Sequence, residues 1–341
     1  MSRSTPEKIF HKKKENLMFD SFKGQAKVKE KLAIIIHQGK MTKKTPHIGL
    51  FSSAGCGKTT LAALIAKELG AEYIYMNGTA IKEPMTFANK IYQAKKTPDK
   101  HFIIFIDEAH SLPRGIQDNL LSILEEPAIL CFVAPTKMKC AKRDGTIKDI
   151  KRGESIQVAL PKNISFLLGT THRGALQDTI LNRLIEITFD PYTTEEVVDI
   201  IRAAANQEFP DDIFYKIAQI SRNIRDAKKY LLGLEAFADM HNLITLTDAQ
   251  FSEFCSIYGV SEDGLNSNDL RYLSVLMEHH TVGLNNMSSL LGITAGEITN
   301  IVEPYLFQKG LLAMTPKGRE LSQSGHLRMG RASDDMMVIE E

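Results

Sequence analysis

The chain has 341 residues, 43% of them hydrophobic, with a formal net charge of +1. That length exceeds one ordinary hydrophobic core and calls for two or three domains. The near-neutral balance leaves partner choice to local patches. No apolar run approaches the roughly 18 residues of a membrane helix, and the start of the chain lacks the apolar stretch of a secretory leader. Cys56, Cys131, Cys140 and Cys255 form no C-x-x-C pair and no metal-ligand spacing. The expectation is a reduced, cytoplasmic chain with no membrane contact.

In chain order, residues 1–18 are polar and read as a flexible segment. From 19 to 190, short β-rich runs alternate with helical patterns, which predicts an α/β domain with a parallel sheet and crossover helices. The clearest strands are His47–Phe51, Phe102–Ile106 and Ile164–Leu168, each a near-continuous apolar run of the kind a strand buried on both faces requires. The stretch from Lys137 to Arg152 is basic. From 191 to 262 the strand signal disappears. Helical patterns at Glu195–Ala205 and Arg225–Ala238, with a capping box at Thr193 and Glu196, predict a small helical lid domain. Residues 264–268 read as a linker. Within 263–330, helices are predicted at Asp269–His279, Asn286–Leu291 and Glu297–Lys309, the last opened by a box at Thr294 and Glu297. Turn chemistry at Thr315-Pro316-Lys317-Gly318 then implies a hairpin. Three helices and a hairpin make a winged helix. An acidic tail, 331–341, closes the chain.

The chemistry sits on two of these strands. Ser52-Ser53-Ala54-Gly55-Cys56-Gly57-Lys58-Thr59 follows the first strand and opens a helix over Thr60–Leu69. It keeps the G-x-x-x-x-G-K-[ST] pattern except for its first glycine. Gly55 and Gly57 let backbone N–H groups converge on phosphate oxygens. Lys58 supplies a charge between the terminal phosphates, the Thr59 hydroxyl ligates Mg2+, and Thr60 lies beside the nucleotide ATP. Ser52 raises the question of backbone angle, since a Cβ tolerates positive φ poorly. Phe102–Ile106 ends in Asp107 and Glu108, at the carboxyl end of a parallel strand, where ligands bind. Asp107 is the second Mg2+ residue, and Glu108 orients or deprotonates the attacking water. Cys56 reads as incidental and His110 as a satisfied loop histidine.

Several further segments carry a resemblance. Phe19-Asp20-Ser21-Phe22-Lys23-Gly24-Gln25 resembles the "DEFIGQ" box that precedes the phosphate loop in RuvB and clamp-loader proteins. Gly169-Thr170-Thr171-His172-Arg173 resembles the "GATTRAG" sensor-1 segment. Ile180-Leu181-Asn182-Arg183 resembles the arginine-finger segment "PLRDRF", and Asn223-Ile224-Arg225-Asp226-Ala227 resembles the sensor-2 segment "TPRIAN". Val302-Glu303-Pro304-Tyr305-Leu306, Gln308-Lys309-Gly310-Leu311-Leu312 and Thr315-Pro316-Lys317-Gly318-Arg319 look like the RuvB sequence "EPYLIQQGFLQRTPRGR". On these segments the chain resembles the RuvB family of AAA+ branch-migration motors from Phe19 to about Gly330.

The resemblance implies an ATP hydrolase assembled as a homo-oligomer, a hexameric ring, that acts on double-stranded or junction DNA. It implies a sensor at Thr171, a finger at Arg183 acting on a neighbour's nucleotide, and a nucleotide-reading Arg225. Lys317 and Arg319 in the wing become the phosphate contacts. Departures are His172 for threonine, one finger arginine instead of two, Met314 for arginine, and a longer, more basic 130–160 hairpin. These mark a divergent member of the kind phages carry. That hairpin, which in RuvB docks RuvA, here meets DNA, a RuvA-like or other acidic protein, or only solvent. The competing readings are a clamp-loader-like ATPase that places a partner protein on DNA, and a DNA-binding regulator whose ATP controls assembly.

Overall fold

A computed structural model describes residues 19, 22–42, 44–83, 100–125, 128–133, 137–141, 147–160, 164–243 and 245–337. The expected flexible segment 1–18 lies outside the described residues. The chain divides into two compact units between Tyr192 and Thr193.

The first unit is built on a five-stranded sheet in the order β2 (Glu72–Asn77), β3 (Phe102–Asp107), β8 (Ile164–Thr170), β1 (Ile48–Phe51), β9 (Ile185–Thr188). Every pairing in it is parallel. The three predicted strands are its centre, and every residue of β1 and β8 is buried. Both faces are covered, as a near-continuous apolar strand demands. Ile104, Phe166 and Leu168 pack with Ile116 and Leu120 of the helix Arg114–Ile123. On the opposite face Ile103, Phe105 and Leu167 meet Leu61 and Ile65 of the helix Lys58–Glu68, and Leu32 and Ile36 of Ala26–Thr42. β2 and β9 are the edge strands. All but one residue in each stays at least partly accessible, so they lack the continuous apolar signature.

The 130–160 region is a double antiparallel hairpin. β4 (Ile129–Val133) pairs with β7 (Ser155–Ala159), and β5 (Met138–Ala141) with β6 (Ile147–Ile150). Lys137, Lys151 and Arg152 are exposed on it, while Lys142 and Arg143 lie outside the described residues.

The second unit holds two separate apolar cores. The first gathers Ile201, Phe214, Leu234 and Phe254 from the four helices Thr194–Arg202, Asp211–Ile220, Ile224–Met240 and Asp248–Ile257. The expected capping box forms with both arms at Thr193 and Glu196. The second core joins the helices Ser267–His279 and Leu284–Leu291, a segmented third helix, and the hairpin β10 (Leu312–Thr315)–β11 (Gly318–Leu321), which is the winged helix. The third helix is α at Ala295–Glu297, π over Ile298–Val302 and α again over Glu303–Gln308. Pro304 offers no N–H to a continuous ladder, and the π turn just before it absorbs the fault. At Thr294 the forward hydrogen bond from Glu297 N forms at 3.1 Å, without the return arm of a full box among the described residues.

Two expectations need correction. Residues 264–268 are not a loose linker. Leu265 is 1% exposed, and Asn266 and Asp269 form a capping box that starts the next helix. The tail is not separate either, because the helix Gln323–Met337 runs through most of it.

Polar contacts tie the second unit's two cores together. Arg222 pairs with Asp269, whose side chain is fully buried, and its guanidinium lies 4.3 Å from the centre of the Tyr305 ring. Lys309 Nζ donates to Asp263 O at 2.8 Å, and Arg328 Nε to Asp263 Oδ2 at 2.5 Å. Removing one partner of a buried pair strands the other. Arg222→Ala is therefore expected to destabilise the second unit by about 3–5 kcal/mol, read as a fall in thermal midpoint. Burial raises the pKa of Asp269 above its ordinary value, against the pull of Asn266 and Arg222. An acid with a raised folded pKa favours folding when protonated, and that contribution is lost as pH rises through the folded pKa. The Arg222→Ala deficit should thus be largest near neutral pH and shrink towards the acid side.

Candidate functional site

The carboxyl ends of β1, β8 and β3 lie side by side, with β8 in the middle. β1 runs into the loop 52–57 and then the helix Lys58–Glu68. Gly55 and Gly57 sit at φ 83° and 90°, in the left-handed region open to glycine. A Cβ on Gly57 would also stand 2.9 Å from the Phe22 ring. Gly57 caps the helix with no side chain in the way, so the unpaired N–H groups of the first turn face the loop. Ser52 is not among the residues with positive φ, so its Cβ introduces no backbone strain. Its hydroxyl joins the loop instead. Lys58 Nζ donates to Ser52 Oγ at 3.0 Å, and to the carbonyls of Ser52 and Ser53, each at 3.1 Å. Lys58 is 7% exposed, and Thr59 and Thr60 are exposed at the helix start.

β3 brings Asp107 to the same edge. Thr59 Oγ1 donates to Asp107 Oδ2 at 2.9 Å, so the two residues expected to share a cation are in direct contact. Glu108 follows in a left-handed conformation, φ 51° and ψ 44°. That turn is pinned by Glu108 N donating to Asp107 Oδ1 at 3.0 Å and by Ser111 N donating to Glu108 O at 2.9 Å. Gly78, just past β2, allows it, because a Cβ there would lie 2.5 Å from Glu108 O. β8 ends at Thr170, which is fully buried, and Thr171 follows, half-buried, with its hydroxyl 2.8 Å from His172 Nδ1.

Not every predicted residue joins this edge. Arg183 stands two residues before β9, at the opposite end of the sheet, where Ile185 N donates to His47 O ahead of β1. Its guanidinium pairs with Glu125 and donates to Thr179 O at 2.5 Å. The pair borders a cavity of about 760 Å3 that also takes in His47 and Phe166. Arg225 is exposed in the first turn of Ile224–Met240, under the cap of Asn223.

In the wing, Lys317 is exposed at the two-residue turn between β10 and β11. Arg319 departs from expectation. Its side chain is 13% exposed and donates through Nε to Glu303 Oε1 at 2.7 Å, where Tyr272 Oη also donates at 2.9 Å. It anchors the hairpin to the segmented helix and has its cation committed inside the fold. His110, expected to be a satisfied loop histidine, is bonded through Nδ1 to Thr170 Oγ1 at 2.9 Å, and the same atom lies 3.3 Å from Glu108 Oε2, a contact that the sequence does not signal.

A parallel sheet with a phosphate loop after one strand, paired acids after a second and a polar residue at the end of the strand between them defines a P-loop ATPase. Joined to it here is a winged helix. The family model described as the Holliday junction DNA helicase RuvB P-loop domain matches residues 15–187, and that of the RuvB C-terminal winged helix domain matches 262–329. The chain belongs to the RuvB family. It is 28% identical over 323 residues to the Holliday junction branch migration complex subunit RuvB of Salinibacter ruber, covering 92% of this chain and 88% of that one. The same subunit of Campylobacter hominis is 27% identical over 309 residues, with 88% and 85% covered. Among solved structures, the Thermotoga maritima RuvB Holliday junction branch migration motor superposes with a TM-score of 0.71 at 26% identity, covering 91% of this chain and 96% of that one. Among the described residues, no helix is long and apolar enough to cross a membrane.

Proposed function

We propose that this protein is an ATP-driven motor that moves duplex DNA and branch-migrates four-way junctions in recombination and repair. The observation that carries the reading is the union, in one chain, of a P-loop site bearing Asp107 and Glu108 with a winged helix of the RuvB type. ATP is held by the amides around Gly55 and Gly57, by Lys58 and by Thr60. Thr59 and Asp107 offer a Mg2+ ion two hard oxygen donors already in contact, which fits that cation's preference. Bound there, the ion would neutralise charge on the terminal phosphates. Glu108 acts on the attacking water, and Thr171 is the sensor beside it.

Arg183 lies a strand's length from its own phosphate loop. Its service as a finger therefore requires a neighbouring subunit, and with it a closed, head-to-tail assembly for which a hexameric ring is our reading. Arg225 reads the nucleotide as the second sensor. The basic 137–152 hairpin takes a polyanion or an acidic, RuvA-like partner.

Lys317 is the phosphate contact of the wing, and tracking along DNA of any sequence needs such contacts and not base readout. Lys317→Ala is expected to weaken binding equally on unrelated duplexes and to flatten the plot of log affinity against log salt by about 0.9, one phosphate's worth. Arg319→Ala should instead lower the thermal midpoint, because Glu303 loses its buried partner. A sequence-selective loss for Lys317→Ala would speak for a regulator.

The reading is tested by ATP turnover against increasing duplex DNA. Stimulation to a common plateau by duplexes of unrelated sequence is expected. Turnover that ignores DNA and responds only to a protein partner would favour the loader.

A further inference from the structure

His110 occupies a position that its place in the sequence does not explain. It sits in the short turn Ala109–Ser111, two residues beyond Glu108, the left-handed residue that follows β3. The turn brings its ring back towards the Glu108 side chain, with Nδ1 3.3 Å from Oε2. The same nitrogen lies 2.9 Å from Oγ1 of Thr170 at the end of β8. Thr170 Oγ1 in turn accepts from His172 N at 2.9 Å. The His172 ring packs on the His110 ring with centroids 4.7 Å apart, and its Nδ1 meets the Thr171 hydroxyl at 2.8 Å. The contacts run unbroken from the water-activating carboxylate to the residue beside the sensor.

The chemistry of that contact is restrictive. An ionised carboxylate is repelled by a bare ring lone pair, so Glu108 Oε2 at 3.3 Å favours the tautomer with the proton on Nδ1 of His110. Burial lowers the His110 pKa, more than any neighbouring charge does, and so favours the neutral ring with a single N–H to place. Placed on Nδ1, that hydrogen is donated to Thr170 Oγ1 at 2.9 Å, and the partial positive charge of the N–H, with Nδ1 3.3 Å from Glu108 Oε2, draws the carboxylate towards the end of β8. Glu108 has few other means of fixing its side chain. Its backbone is held by Asp107, Ser111 and the close approach of Gly78, but its carboxylate is partly exposed. A carboxylate free to swing reaches its water less often, and a displacement of about 1 Å can cost on the order of 10²-fold in rate.

We propose that His110 is a positioning residue for Glu108: its ring, anchored through Nδ1 to Thr170 Oγ1, attracts the carboxylate towards the end of β8, and the His172 ring fixes the orientation of the imidazole. The proposal rests on the assignment of Glu108 above. The close partners of His110 are Glu108, Thr170 and His172, none of them assigned to the phosphates or the cation, so its loss is expected to act on turnover and not on nucleotide affinity.

The test compares His110→Ala, His110→Asn and His110→Gln in the full chain with saturating duplex DNA, measuring kcat and KM for ATP and the affinity for ADP. An asparagine amide falls near the place of Nδ1, a glutamine amide near that of Nε2. The expected result is a fall in kcat of about 10-fold to 10²-fold for His110→Ala, with KM and ADP affinity unchanged. His110→Asn should recover most of the loss, and His110→Gln should not. His172→Ala, which strips one flank of the ring, should give a smaller drop in the same parameter. Unchanged turnover in His110→Ala overturns the proposal. So does equal recovery by Asn and Gln, which would mean that the ring only fills space, and so does an Asn variant as slow as Ala at an unchanged thermal midpoint. Should the Ala variant not fold, the Asn and Gln pair decides alone. Glu108→Gln measured alongside separates the two levels. If it is inactive while His110→Ala is unaffected, only this inference falls. If it turns over normally, the reading of Glu108 itself has failed.

Discussion

Glu108→Gln is expected to bind ATP about as well as the unaltered protein while losing turnover by roughly 10²-fold to 10⁴-fold, the range for removal of a general base. The amide keeps the shape of the side chain and its place in the left-handed turn after β3, where Asp107 Oδ1 and Ser111 N fix the backbone. What it loses is the basic oxygen that acts on water. Lys58→Ala should show the complementary pattern. Lys58 is buried in the phosphate loop and donates three hydrogen bonds within it, so its loss removes charge from the bound ground state and weakens ATP binding itself. Equilibrium binding of a fluorescent ATP analogue and steady-state phosphate release, measured on both variants, separate the two roles. Normal phosphate release by Glu108→Gln would remove the assignment of that residue.

Arg183→Ala is expected to lower turnover by on the order of 10³-fold or more, as loss of an arginine finger does in related phosphoryl-transfer sites. ATP binding by the same subunit should be intact. The reason is topological. Arg183 precedes β9 at the end of the sheet opposite the phosphate loop, so it serves the nucleotide of another subunit or of none. Its pairing with Glu125 and Thr179 O holds the guanidinium at that end. Mixing the two variants tests action between subunits. Subunits carrying Arg183→Ala keep Glu108, and subunits carrying Glu108→Gln keep the finger. Mixed assemblies should regain turnover at those interfaces where the two intact halves meet. If mixtures stay as inactive as their parents although mixed assemblies form, the action in trans is refuted or all sites must fire together.

A position is legible in the sequence where local spacing sets it and hidden where tertiary packing does. The phosphate loop and the Asp107–Glu108 pair were legible because their chemistry requires residues at fixed spacing after a strand, and the strands concerned are central and apolar throughout. β2 and β9 went unnoticed because edge strands are half-exposed and carry no such run. The winged helix was legible from turn residues and helix periodicity, but the π turn before Pro304 was not, since it answers a local hydrogen-bonding conflict. Residues 264–268 have the composition of a linker, and only the packing of Leu265 and the Asn266–Asp269 box reveals them as fixed. Arg319 had the charge and the motif position of a phosphate ligand. Its partner Glu303 lies 16 residues away, across the core of the winged helix, where sequence spacing carries no information. His110 is the converse case. It is two residues from Glu108, a separation that normally points side chains apart, and the left-handed backbone of Glu108 reverses that. Ser52 raised a strain that the structure removes, because its φ is ordinary and its hydroxyl is bonded to Lys58.

The central claim is that ATP hydrolysis at this site moves a four-way DNA junction. The most direct measurement follows a labelled synthetic junction with four arms of unrelated sequence, incubated with the protein and Mg-ATP, with and without a junction-binding protein of the RuvA type. Conversion of the junction into duplex products that requires ATP, proceeds on arms of any sequence and is abolished by Glu108→Gln is the predicted result. A junction that stays intact under all these conditions, while ATP is hydrolysed at full rate in response to a protein partner alone, would contradict the account and leave a loader in its place.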